Sequence, residues 1–201
     1  MSQKKFVLTI GRQYGSGGRE LAGILADKLN VKLYDRQIVH VAAIKLGLDE
    51  LTEEQLIEIE NTLQPIPVSS YLPFHSFGMH FGESSTGMFL AESKVIHMIA
   101  EEKSCVILGR SADYVLRDEP GRFSVFVCAD DDFREKRGQE IYGKTLKELN
   151  KEDVHRARYY NYYTGKEWGN GASYDLVVNT SNTPLEKIAD GIIAYMDAVR
   201  K

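Results

Sequence analysis

The chain has 201 residues, 43% of them hydrophobic, which is enough to bury one core and short for two independent domains. Its formal net charge of −4 argues against a nucleic-acid polymer as partner, although arginines gathered in one cleft can still meet a small phosphate ligand. Two cysteines, Cys105 and Cys128, are too few for a disulfide scaffold, and no apolar run approaches the roughly 18 residues that span a bilayer, so a cytoplasmic protein without a membrane partner is expected.

In chain order, the apolar run KFVLTI at 5 to 10 predicts a strand, and RELAGILADKL, with leucine, isoleucine and alanine at helical spacing, predicts a helix. Glycines at 11, 15, 17 and 18 join the two. KLYD at 32 to 35 supplies a second short strand, followed by a helical stripe through Ile38, Val41, Ala42 and Leu46 that stops near Gly47. A further helix fits TEEQLIEIENTL, whereas residues 64 to 87 hold three of the five prolines and read as a long excursion. Helical spacing returns from Met88 to Lys103, and the apolar runs SCVILG and RFSVFVCA suit the buried middle of a parallel sheet. DDDFREKR opens a helix with acids first and bases after, matching the helix dipole. Residues 139 to 163 predict a partly exposed polar helix. YDLVVNT gives a last strand, and a closing helix begins with Thr183 as N-cap and Pro184 at its first position. Strands alternating with helices predict an α/β fold around a parallel sheet.

A glycine loop between strand and helix lets backbone N–H groups converge on an anion, with the helix N-terminus adding partial positive charge. The full GxxxxGK[ST] pattern adds a lysine for the β and γ phosphates and a hydroxyl for Mg²⁺. Aligned to that pattern, Gly18 falls at the lysine, Glu20 at the hydroxyl and Arg12 at the first glycine. Two other readings remain open from the residues alone. One is a turn that serves packing only; the other is a dinucleotide site of an NAD(P)-dependent oxidoreductase, with Gly11, Gly15 and Gly17 as GxxxGxG, Asp35 downstream, and Tyr162 and Lys166 as a YxxxK pair interrupted by Gly165.

The segments TIGRQYGSGGRELA, YDRQIV, CVILGRSADYVL, VFVCADDDFREKR and ARYYNYYTGKEWGNGASYDLVVNTS occur in an order that resembles the cytidylate kinase-like family. These are divergent relatives of bacterial cytidylate kinase within the P-loop nucleoside monophosphate kinase superfamily. The resemblance covers nearly the whole chain and is weakest from 47 to 90. It implies a single P-loop kinase-like domain over 1–201, a five-stranded parallel sheet flanked by helices, a substrate-side insertion near 47–90 and a helical lid near 139–173. The implied activity is transfer of the γ-phosphoryl group of ATP, with Mg²⁺, to CMP or a similar small acceptor. A nucleotide-binding protein that has lost transfer is the alternative. In this family the lysine-free loop is the normal form.

Phosphoryl transfer rests on positioning and charge stabilisation, so cations and an anion cradle are the parts to seek. The resemblance assigns Arg12, Gly15, Ser16, Gly17, Gly18, Arg19 and Glu20 to the nucleotide. Asp35, Arg36, Arg110 and Asp113 go to the acceptor, and Arg19, Arg134 and Arg156 to catalysis. Arg19, one place beyond the usual lysine, is the nearest candidate to replace it, with Arg12 second. Arg137 accompanies Arg134 beside the lid, and Arg158 lies two places beyond Arg156. Metal ligands stay unassigned: Ser16 is the nearby hydroxyl and Glu20 the nearby carboxylate. Tyr159, Tyr160, Tyr162, Tyr163 and Trp168 are expected to pack the lid onto the sheet. The five histidines have no metal-ligand spacing.

Overall fold

A computed structural model describes residues 5–35 and 83–199. The predicted elements from 36 to 82, among them the Ile38 to Leu46 stripe, the TEEQLIEIENTL helix, Arg36 and most of the excursion and insertion, lie outside the described residues.

Within them, β1 (Val7–Arg12), β2 (Lys32–Tyr34), β3 (Cys105–Leu108), β4 (Arg122–Cys128) and β5 (Leu176–Asn179) form one all-parallel sheet in the order β2-β3-β1-β4-β5. In β1, β3 and β4, apolar residues on both faces explain why the runs become buried strands, whereas β2 and β5, at the two edges of the sheet, stay partly exposed. Leu8, Ile10, Val106, Leu108, Val125 and Val127 point to one face, where they pack with Leu21 and Leu25 of α1 (Gly18–Leu29) and Ile192 and Met196 of the closing helix. Val7, Cys105 and Ile107 point to the other, against Val95 and Ile96 of α2 (Glu83–Glu102) and Val115 of the short α3 (Ala112–Val115). Truncating a fully buried leucine such as Leu21 costs about 2–5 kcal/mol, so each face is a substantial source of stability. Burial also pushes the Cys105 thiol up to about 11, as suits an unreactive core thiol.

The register pairs Ile10 with Leu108 on one side and with Val125 on the other, so β1 sits at the centre. The chain leaves β1 for α1 and β2, whereas it leaves β3 for α3 and β4 across β1. Connections therefore diverge at the carboxyl ends of β1 and β3, where open α/β sheets collect ligands.

Three elements differ from the sequence expectation. Helix α2 begins at Glu83, inside the expected excursion, because Ser84, Ser85, Thr86 and Gly87 carry little helical signal of their own. The polar stretch from 139 is divided. After α4 (Asp131–Arg137) comes a π-helical turn, Gly138–Tyr142, closed by Gly143; α5 (Leu146–Thr164) follows, opened by a capping box between Thr145 and Glu148. The closing helix α6 is Leu185–Val199, and the Pro184 carbonyl accepts from Lys187 and Ile188. Pro184 thus occupies the N-cap place expected for Thr183.

Candidate functional site

The glycine loop runs from the end of β1 into α1. Gly15 and Gly17 have φ of 79° and 76°, a left-handed geometry that lets the chain turn back on itself before the helix begins. Gly18 is required for a different reason: a Cβ there would stand 2.6 Å from the Arg12 Cβ. The loop is held from behind by Ser16, whose hydroxyl donates to the Gln13 carbonyl at 2.8 Å and whose carbonyl accepts from Thr180 Oγ1 at 2.7 Å. Among the described residues, no acceptor is bonded to the amides of Gly15 to Glu20. These amides and the N-terminus of α1 form a cradle for an anion.

Arg12 does not project from the loop. Its side chain passes Gly18 and its guanidinium lies against Gly109 at the end of β3, bridging the two strand ends at the switch point. Arg19 pairs with Asp35 at 3.2 Å, so a residue expected at the donor nucleotide meets one expected at the acceptor. Arg137 pairs with Glu20 at 2.7 Å, and its Cζ is 3.7 Å from where a Cβ on Gly17 would stand.

Arg134 is buried with only 3% exposure and fully engaged. Its Nε donates to the Tyr14 carbonyl at 2.9 Å, Nη1 to Asp131 at 3.0 Å and Nη2 to Asp153 at 2.7 Å. Asp153, on α5, also accepts from the Tyr14 amide at 2.8 Å. Arg156, one turn on, donates to the Arg12 carbonyl at 3.0 Å and lies 3.4 Å from Asp153. Helix α5 therefore grips the backbone of residues 12 and 14 through the half-buried Arg156 and the buried Asp153. Burial raises the Asp153 carboxyl to about 6, against the opposing pull of Arg156, the Tyr14 amide, Arg134 and Arg12.

On the β3 side, Gly109, Arg110 and Ser111 have successive φ of 75°, 59° and 54°. Two consecutive non-glycine residues in the left-handed region store strain, which native structures tolerate mainly at working sites. Arg110 pairs with the buried Glu92, and its guanidinium stands 5.1 Å from the Tyr159 ring centroid. Tyr159 donates its hydroxyl to Glu92 at 3.2 Å. Asp113 accepts the Tyr160 hydroxyl at 2.7 Å, tying α3 to α5; burial raises its pKa while that bond opposes the rise.

The aromatic cluster packs, but the expected seat on the sheet holds only in part: Trp168 lies against Phe126 of β4, whereas Tyr159 and Tyr163 lie against Phe89 of α2 and Tyr160 donates to Asp113 of α3. Tyr163 stacks on Phe89 with centroids 4.3 Å apart, and Trp168 meets Phe126 edge-on at 5.2 Å. Tyr162 is 68% exposed, with its ring edge-on to Tyr163 at 4.9 Å between centroids. Gly165, with φ of 66°, ends α5 between Tyr162 and Lys166, so these two do not share a helix as a YxxxK pair would. Among the described residues no group of three or more His, Cys, Asp or Glu side chains is placed to hold a metal ion. Nor is any described helix long and apolar enough to cross a membrane.

Sequence reasoning missed Asp153 and Glu92 and undervalued Arg137. The i,i+3 spacing of Asp153 to Arg156 was the one visible signal, since the other partners are distant in sequence.

No curated protein sequence matches the chain significantly. The chain is similar in structure to an uncharacterized protein from Eubacterium ventriosum ATCC 27560, at TM-score 0.72 and 25% identity, over 96% of this chain and 99% of that one. It shares its fold with a gluconokinase from Sinorhizobium meliloti 1021, at TM-score 0.56 and 13% identity over 98% and 94% of the two chains. It also shares it with a shikimate kinase from Acinetobacter baumannii in complex with shikimate, at 0.53 and 12% over 98% and 94%. Residues 7–182 match the sequence profile of the cytidylate kinase-like family. That match takes in the central strand, the glycine loop and the whole of α5, and the chain belongs to the cytidylate kinase-like family, with a P-loop kinase-like fold.

Proposed function

We propose that the protein is a cytoplasmic ATP-dependent kinase that moves the γ-phosphoryl group to a small acceptor, with CMP the first to test. The observation that carries this reading is the cradle itself: unclaimed amides at the N-terminus of α1, beside Arg137, at the carboxyl end of the central strand. These residues fit an oligophosphate, because main-chain donors and a guanidinium together neutralise it without an ammonium.

In this reading Gly15 to Glu20 bind the donor phosphates, and Arg110 and Asp35 face the acceptor from β3 and β2, with Arg36 following Asp35 in sequence. Arg19, at the boundary, is paired with Asp35 and so faces the acceptor side, where it is released to the acceptor when substrate arrives. Arg134 and Asp153 fix the loop to the lid, and Arg156 brings positive charge over the loop from α5. Mg²⁺ bound with ATP would supply charge neutralisation at the phosphates. Within the loop, Glu20 is the carboxylate that would be available to hold it.

A coupled ADP-release assay tests the proposal, with nucleoside monophosphates, gluconate and shikimate as acceptors and with Arg19→Ala and Arg110→Ala alongside. Turnover with one acceptor, reduced by about tenfold or more in either variant, is expected. Absence of turnover with every acceptor would count against the kinase reading. A second reading, binding of nucleotide without transfer, is favoured by one feature: Arg19, Arg134, Arg137 and Arg156 are each already engaged by a carboxylate. Tight ATP binding in calorimetry with no ADP release would select it.

A further inference from the structure

We propose that Arg137, rather than Arg19, supplies the phosphate-binding cation missing from the loop, and that Glu20 holds its guanidinium there by standing where a phosphate oxygen would stand. This rests on the reading of the loop as a nucleotide phosphate site.

The position of the lysine has been rebuilt and not merely vacated. A Cβ on residue 18 would meet the Arg12 side chain at 2.6 Å, so Arg12 already fills the space through which a lysine at 18 would have to leave the backbone. A cation must therefore approach from elsewhere. Arg19 turns away toward β2, where it pairs with Asp35 and is 46% exposed. Arg137 approaches from α4 and comes to 3.7 Å from the Cβ position of Gly17, the residue that opens α1.

The Arg137 side chain is also held ready. It is 19% exposed, and its Cζ stands 5.7 Å from the Phe133 ring centroid. Its Nε is buried and, among the described residues, has no hydrogen-bond partner. A buried donor left without an acceptor is costly, and it is tolerated where a ligand completes the bond. The Nη2 atom donates to Glu20 at 2.7 Å. Carboxylate and phosphate present the same forked acceptor geometry to a guanidinium, so one can replace the other without moving the arginine. Glu20 is 57% exposed and sits in the first turn of α1, free to swing into water when displaced. Its presence at the place of the usual hydroxyl is then explained: it keeps Arg137 at the loop between ligands.

The test is calorimetry with metal-free tripolyphosphate and with ADP, on proteins whose fold is checked by circular dichroism. Arg137→Ala is expected to weaken both ligands by about tenfold or more, and by more than Arg19→Ala does. Arg137→Lys is expected to recover part of the loss. Glu20→Gln, an exposed change that leaves the core intact, is expected to tighten metal-free tripolyphosphate by about threefold or more, because the ligand no longer competes with a carboxylate. If the unaltered protein binds neither ligand, the phosphate-site reading fails and this inference with it. If it binds them and Arg137→Ala costs no more than Arg19→Ala, only the assignment to Arg137 is overturned. Weaker tripolyphosphate binding in Glu20→Gln would overturn the role given to Glu20.

Discussion

The Tyr14 amide donates to Asp153 Oδ1 at 2.8 Å across 139 positions of sequence, and Arg134 takes the carbonyl of the same tyrosine. Both main-chain polar groups of this loop residue are thus held, one by α5 and the other by α4. Asp153 is 8% exposed, and removing it leaves Arg134 buried without its main counter-charge. Asp153→Ala is expected to destabilise the protein by about 3–5 kcal/mol in urea denaturation, and Asp153→Asn by less. A loss under about 1 kcal/mol for the alanine variant would show that the pair does not carry the loop.

The closeness of Gly18 to Arg12 makes a second expectation. Gly18→Ala would put a methyl 2.6 Å from the Arg12 Cβ, which is fixed to β1, so α1 and the end of β1 must move apart, at a cost of about 1–3 kcal/mol from overpacking. Nucleotide affinity should fall with it, as the cradle deforms. Unchanged melting temperature and unchanged ATP affinity would contradict the contact.

Strain after β3 makes a third. Ser111 has φ of 54° and a buried hydroxyl with no hydrogen-bond partner among the described residues. A left-handed non-glycine residue costs about 1–2 kcal/mol, partly offset in the glycine variant by about 0.5–1 kcal/mol of unfolded-state entropy. Ser111→Gly is therefore expected to be neutral or stabilising by up to about 1 kcal/mol in chemical denaturation. A clear destabilisation would show that the hydroxyl is used.

The pH dependence of α5 follows from its capping box. Glu148 accepts from the Thr145 amide and hydroxyl, both at 2.8 Å, and these bonds lower its pKa below the usual carboxylate value. A lowered folded-state pKa means that the cap adds stability above the unfolded-state value and loses it as pH falls through the folded one. Glu148→Gln should remove that acid-side dependence when melting is followed from neutral pH downward. An identical pH profile in both proteins would rule the contribution out.

How much of this was legible in the sequence depends on the range of each interaction. The strands at 7–10, 105–108 and 123–127 were plain because burial on both faces demands near-continuous apolar runs, interrupted here only by the small hydroxyl residues Thr9 and Ser124. The start of α2 was hidden, since Ser84 to Gly87 are weak helix formers and the chain overrides their propensity. In the site, the arginines were visible as cations and the glycines as a turn. Their partners were not: Arg134 reaches Tyr14 across 120 positions and Arg137 reaches Glu20 across 117, and such pairings are set by the sheet order, not by local pattern. The departures from the Walker pattern at Gly18 and Glu20 were legible as departures; their meaning required the side chain of Arg12 and the guanidinium of Arg137.

The most direct measurement of whether the loop grips phosphate is a titration of the ¹⁵N-labelled protein with Mg²⁺-ATP, following amide resonances. The largest shifts are expected at Gly15, Gly17, Gly18 and Arg19, with the Arg137 side-chain Nε signal moving in step. Saturable ATP binding that leaves these resonances in place while others shift would contradict a phosphate site at this loop.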